Sequence, residues 1–137
     1  MSAGLFAGAA IYITLVEHPA RVECGTAIAL AQFGPSYRRA AVMQALLAAI
    51  GCLAAVGAWM REGGAVVLIA GVALGAVIPF TLIVIFPTNK RLLDPALDRH
   101  SPEATALLAR WGTLHAIRSA AGAASFLLLA LHLTGAI

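Results

Sequence analysis

Between Glu62 and Lys90 the chain carries no charged side chain. A run of that length fits a membrane interior better than any loop or solvated surface. About 20 helical residues, rising ~1.5 Å each, cross ~30 Å of hydrocarbon. The window Gly64–Phe86 meets that length, and it has company. Tyr37–Met60 holds Arg38 and Arg39 at its start and is then uncharged, while Ser119–Ile137 has His132 as its one titratable side chain. Ser2–Val16 is equally apolar but several residues short. Charged residues make up only 11% of the 137, and apolar ones 61%. A soluble domain has roughly 25% charged residues. The expectation is therefore all-α, one integral membrane domain over residues 1–137. It is a four-helix transmembrane bundle in up-down-up-down order, with helices near 2–18, 37–60, 64–86 and 103–136.

The short first window has two readings. Either the helix runs on through His18, or the native chain begins upstream of Met1. A cleaved signal peptide is disfavoured, because the window lacks a basic leading region and "LVEHPA" is a poor cleavage site. Lysines and arginines set the orientation. Arg21, Arg38 and Arg39 follow the first helix, and Lys90, Arg91 and Arg99 follow the third, whereas the second connection has Arg61 beside Glu62. The positive-inside rule then puts the first and third connections in the cytoplasm and both termini on the outer side. The net charge of +3 reports topology. It does not mark a nucleic-acid partner, since no basic patch is interleaved with aromatics. The expected partners are the lipid bilayer and a hydrophobic small molecule, and self-association into a homo-oligomer is compatible with such a chain.

The connections differ in kind. "REGG" (Arg61–Gly64) reads as a tight turn. The stretch Glu17–Ser36 reads as a longer connection with a short surface helix, closed by Gly34 and Pro35. "PTNKRLLDPALDRHS" (Pro87–Ser101) reads as a polar connection broken by its prolines. "SPEA" opens the last helix, with Ser101 as N-cap, Pro102 in the first turn and Glu103 at the positive helix end. Cys24 and Cys52 fall at different depths, so no disulfide is expected.

The polar residues near the membrane ends are the informative ones. Glu17 and His18 end the first helix. Asn89 follows the third on the same side. Trp111, His115 and Arg118 share one stripe of the fourth at i, i+4 and i+7. All can meet at the cytoplasmic mouth of the bundle. An ionisable group in a membrane segment costs about 2.5–3.5 kcal/mol on insertion scales, so such groups face a partner or a cavity. Each also has a structural reading. Glu17 can pair with Arg21 or Arg118, His18 can be an interfacial histidine before a proline, and Trp111 an interfacial anchor. Asn89 can simply turn the chain after Pro87. His115, on the inward stripe, fits a functional role best. Tyr12, above Glu17, can reach the same cavity or pack between helices. His100 and His132 read as surface groups. Gly4 and Gly8 read as a close-packing step, and Pro79 as a feature common in membrane helices.

The segments "GLFAGAAIYITLVEHPAR", "PTNKRLL" and "WGTLHAIRSAAG", in that order, resemble the anthrone oxygenase-like family of small four-helix membrane proteins. The resemblance spans essentially the whole chain, and no single motif is specific by itself. The family pattern falls on His18, Pro19, Pro87, Asn89, Trp111, His115 and Arg118. It implies an oxidoreductase that acts with O2 on a hydrophobic aromatic or polyketide-like substrate, as some fungal members convert anthrones to anthraquinones. The expected location is the bacterial inner (cytoplasmic) membrane. Under that reading His115 or His18 is the base, Arg118 and Asn89 stabilise an oxyanion, and Trp111, Tyr12 and Glu17 bind substrate. Proton abstraction followed by direct reaction with O2 needs no cofactor. A transition metal held by Glu17, His18 and His115 is the alternative, and a haem pair is weaker. A non-enzymatic reading also stands: a small-molecule transporter or binding protein, or a membrane assembly partner.

Overall fold

The computed structural model describes all residues 1–137. It contains four helical rods and no strands. The first rod is α1 (Ser2–Tyr12), a π-helical segment (Ile13–Glu17) and α2 (His18–Glu23). The second is a single helix, α3 (Thr26–Glu62). The third is α4 (Ala65–Phe80), a second π segment (Thr81–Ile85) and α5 (Phe86–Leu92). The fourth is α6 (Pro102–Leu133). The second, third and fourth are each long and apolar enough to cross a membrane. The first continues past His18 to Glu23, about 33 Å at ~1.5 Å per residue.

Both π segments end just before an X-Pro pair, and proline explains them. Pro19 and Pro87 cannot donate an amide bond, and their rings crowd the carbonyl four residues back. A π turn shifts the bonding to i→i−5. His18 N–H bonds to Ile13 O, and Phe86 N–H bonds to Thr81 O. The widened turn takes up the proline, and the rod continues. This corrects the expectation that the third helix stops at Phe86: "PTNKRL" is its last helical part. The expected long first connection is also corrected. Only Cys24 and Gly25 join the first two rods, with Gly25 at φ 93°. α3 runs straight through Gly34 and Pro35. A residue before proline is normally pushed out of helical backbone by contact between its Cβ and the ring, and glycine at position 34 has no Cβ.

The other boundaries follow their local chemistry. Ser101 Oγ accepts from Ala104 N–H at 3.1 Å, the cap that starts α6. Gly63 and Gly64, at φ 74° and 93°, make the tight turn between α3 and α4. Asp94 and Asp98 each accept a backbone N–H two residues on, at 2.9 Å, which folds the loop after α5.

The rods form a ring in chain order, and the fourth closes against the first. Their alternation returns both chain ends to the same half of the bundle, with His132 beside Gly64 and Ser2 further in, beside Gly51. The basic connections are at the other end. Small residues set the helix contacts, as is usual where lipid gives no hydrophobic drive for association. A Cβ on Gly71 would lie 2.6 Å from the Ala55 methyl, and one on Gly75 would lie 2.7 Å from Cys52 Sγ. These contacts clamp α3 to α4. Gly4 packs on Phe126, while Gly8 faces open space, so the expected two-glycine step is a one-glycine contact. Both cysteines are free.

Candidate functional site

Trp111 sits at the centre of the basic end. It is buried on α6, and its Nε1–H donates to Asn89 Oδ1 of α5 at 2.8 Å. Indole nitrogen only donates, so this bond fixes the Asn89 amide and turns its NH2 the other way. His115 stacks on the indole (centroids 4.7 Å apart, planes at 27°), Phe33 of α3 meets it edge-on at 5.3 Å, and His18 tilts against it at 5.0 Å. His18 comes this close because position 112 is glycine. A Cβ there would be 2.6 Å from His18 Nε2.

The polar partners of His115 decide its protonation. Arg118 approaches Nε2 at 2.8 Å. A guanidinium has no acceptor, so Nε2 receives that bond as a lone pair. Nδ1 then carries the hydrogen, with Thr14 Oγ1 at 2.9 Å. Thr14 passes its own hydrogen to Ala10 O at 3.0 Å, so it is free to accept from the imidazole. Ser119 closes the network, 2.8 Å from Thr14 Oγ1 and 2.9 Å from His115 O. His115 is thus the neutral Nδ1–H tautomer. Arg118 also donates to Gln44 Oε1 of α3 at 2.5 Å, which leaves the Gln44 NH2 as that amide's free end.

A second cation lies on the first rod. Arg21 is 6% exposed. It pairs with Glu17 one turn earlier and donates to Ser36 Oγ at 3.2 Å. Its guanidinium carbon is 5.8 Å from the Trp111 ring centre and 5.9 Å from that of Phe33. Gln32 also donates to Glu17, at 3.0 Å. The Glu17 partner is therefore Arg21 and not Arg118, whose bonds go to Gln44 and His115.

These groups line a cavity of about 160 Å³ between the rods. Its apolar wall includes Phe6, Phe33, Ala48, Val77 and Ile85, and its polar wall includes Glu17, Arg21, Gln44, Asn89, Trp111, His115 and Arg118. Arg21 Nε, Gln44 Nε2, Asn89 Nδ2 and Arg118 Nε are buried with no acceptor. An unsatisfied buried donor costs about 1–3 kcal/mol. All four belong to residues that line the cavity, with two guanidinium groups against one carboxylate, so its polar wall is rich in donors and short of acceptors.

The expected residues are distributed unevenly. Glu17, Asn89, Trp111, His115 and Arg118 reach the wall. His18 packs on Trp111 but lies off the wall, and its buried Nδ1 has no partner. Tyr12 is 55% exposed and off the wall, so the expectation that it binds substrate is corrected. The π segment begins one residue after it, and Tyr12 is left on the outer face. Glu17, His18 and His115 do not gather as a metal set, and no three His, Cys, Asp or Glu side chains in the chain do. Glu17 is taken by Arg21 and Gln32, and both nitrogens of His115 are taken by Arg118 and Thr14. These donors do not fit a metal. Gln44, Arg21, Thr14 and Ser119 are site residues that sequence reasoning missed. The one available signal was Gln44, the sole amide side chain between Tyr37 and Met60.

Compared with known families, residues 33–128 match the family model described as anthrone oxygenase. That stretch contains Gln44, Asn89, Trp111, His115 and Arg118 and stops short of the first rod. No curated protein matches the chain. No solved structure matches it either.

Proposed function

The chain belongs to the anthrone oxygenase family, and from that premise we propose that its cavity oxidises a hydrophobic aromatic or polyketide-like substrate with O2. The site would lie on the cytoplasmic side of a bacterial inner membrane. One observation carries the reading: a neutral histidine shares a small, largely apolar cavity with a cation and with amide donors that lack acceptors. This is the equipment needed to draw a proton from carbon and hold the negative charge that results.

An anthrone-type substrate has a CH2 between two aryl rings, across from a carbonyl. Its carbonyl oxygen would take the Arg118 N–H now bound to His115 Nε2, with the free NH2 groups of Asn89 and Gln44 close by. That exchange frees the Nε2 lone pair, which removes one proton from the CH2. The C–H electron pair becomes an enolate whose charge sits on the oxygen held by Arg118. The enolate carbon forms a bond to O2, which is reduced to the peroxide level, and the terminal oxygen takes the proton back from Nε2. The O–O bond then breaks and the second C–H proton leaves with the terminal oxygen as water. The balance is CH2 plus O2 giving C=O plus H2O. Trp111 supplies a flat face beside His115, and Thr14 holds the imidazole ready as base through Nδ1–H.

A second reading keeps the binding and drops the chemistry. It is favoured by the Arg118–His115 contact, which occupies the basic nitrogen in the ligand-free cavity. Oxygen uptake by the full chain in lipid nanodiscs, supplied with anthrone, separates the two. The proposal expects uptake well above a protein-free control and a loss of about 100-fold or more in His115→Gln, the usual scale of a lost general base. Uptake equal to the control, or an unimpaired variant, overturns it. Binding of anthrone without uptake leaves the carrier reading.

A further inference from the structure

We propose that the cavity opens sideways into the bilayer, between α3 and the π segment Thr81–Ile85, and that the aromatic substrate enters there from the lipid. The inference deepens the reading above and rests on it for the identity of the ligand.

Three observations lead to this opening. Of the residues lining the cavity, only Ala45 on α3 and Leu82 on the π segment are exposed. The mouth therefore lies between those two side chains. Next, the same two rods are clamped at Gly71–Ala55 and Gly75–Cys52, yet α5 hardly touches α3. They part below the clamp, where Pro79 and then the π segment interrupt the regular bonding of the third rod. Last, the depth is that of acyl chains. Ala45 lies about 10 Å along the helix from Arg38 and Arg39, and Leu82 about 12 Å from Lys90, at ~1.5 Å per residue. That is roughly a third of the way into ~30 Å of hydrocarbon. The exposed neighbours are Val42, Met43 and Leu46 on one side and Ile83, Val84 and Phe86 on the other. No charge rims the opening, so a hydrated molecule has nothing to exchange its water for, while an apolar one already dissolved in the membrane passes without desolvation.

Size sets what enters first. A 150 Å³ apolar cavity accepts a benzene, so the present 160 Å³ holds about one ring. A three-ring substrate would enter with an outer ring first, and its central, reacting ring would reach Trp111 only as the walls part, with the other outer ring left in the mouth between Ala45 and Leu82. The side chains at 45 and 82 then act on access, and neither belongs to the hydrogen-bond network of His115 and Arg118.

The test uses the full chain in lipid vesicles with Trp59→Phe, which leaves Trp111 as the sole tryptophan. Iodobenzene, which partitions into the bilayer, and acrylamide, which stays in water, serve as fluorescence quenchers. Iodobenzene is expected to quench Trp111 strongly and acrylamide weakly. Ala45→Phe is expected to cut the iodobenzene quenching constant about tenfold, as one decade of lost access or affinity, and Leu82→Ala to raise it. If Ala45→Phe fails to fold, Leu82→Ala asks the same question by widening the mouth. Equal iodobenzene quenching in parent and variant overturns the proposal, as does acrylamide quenching as strong as that of iodobenzene. Anthrone-dependent oxygen uptake is measured on the same samples. Quenching that depends on positions 45 and 82 without any uptake retains the opening and rejects the enzymatic reading. Uptake with quenching insensitive to both positions does the reverse.

Discussion

Trp111 is the residue through which the site is held together, because each of its edges answers to a different rod. Its N–H is satisfied by Asn89 alone. Asn89→Leu keeps the volume and removes the acceptor. It should cost about 1–3 kcal/mol as an unsatisfied buried donor, read as a lowered midpoint in thermal unfolding. Gly112→Ala brings a methyl to 2.6 Å from His18 Nε2. A cost of about 1–3 kcal/mol for overpacking is expected, together with an altered Trp111 emission in the Trp59→Phe background. The neutral Nδ1–H form of His115 has its own check: nitrogen NMR of labelled histidine should show Nδ1 protonated and Nε2 bare. A protonated Nε2 would contradict the donor assignment given to Arg118. Much at this scale was legible in the sequence. The stripe Trp111, His115, Arg118 follows from helical spacing. Gln44, Thr14 and Ser119 did not stand out, since single small polar groups in apolar windows commonly bond back to their own helix. Thr14 and Ser119 do so here as well.

At the scale of elements, prolines were the misleading signal. Pro35 and Pro87 mark helix ends in most soluble chains. Here Gly34 relieves one, and a π turn absorbs the other. Each π turn adds a residue and so resets the rotation of the helix beyond it. Deleting the exposed Val84 removes the extra residue, so that α5 rotates by about 100° relative to α4 and Pro87 is left to kink the rod. Asn89 would then leave Trp111. The deletion should keep its helical circular dichroism while losing oxygen uptake. Retained uptake would mean that the Asn89 position is not needed. Ser101, by contrast, was legible because a cap is local chemistry: one side chain and one N–H.

At the scale of the molecule, the four-rod, membrane-spanning architecture was readable from charge-free runs alone, for those depend only on composition. Ring closure and the splay below the Gly71–Ala55 clamp were not readable, because they depend on which small residues meet across rods. The assembled bundle exposes large apolar side chains such as Leu53 and Ile83, at 72% and 73%, as a lipid-facing surface should. Its polar network lies inside one end. Whether that network oxidises carbon is decided by an isotopic experiment. Anthrone is given to the nanodisc-embedded chain under labelled O2, and the quinone is analysed by mass at early times. Oxidation in the cavity gives one labelled oxygen per product, formed faster than in the protein-free control, with the excess abolished in Arg118→Leu. Product formed no faster than in the control, or an excess that survives Arg118→Leu, would contradict it.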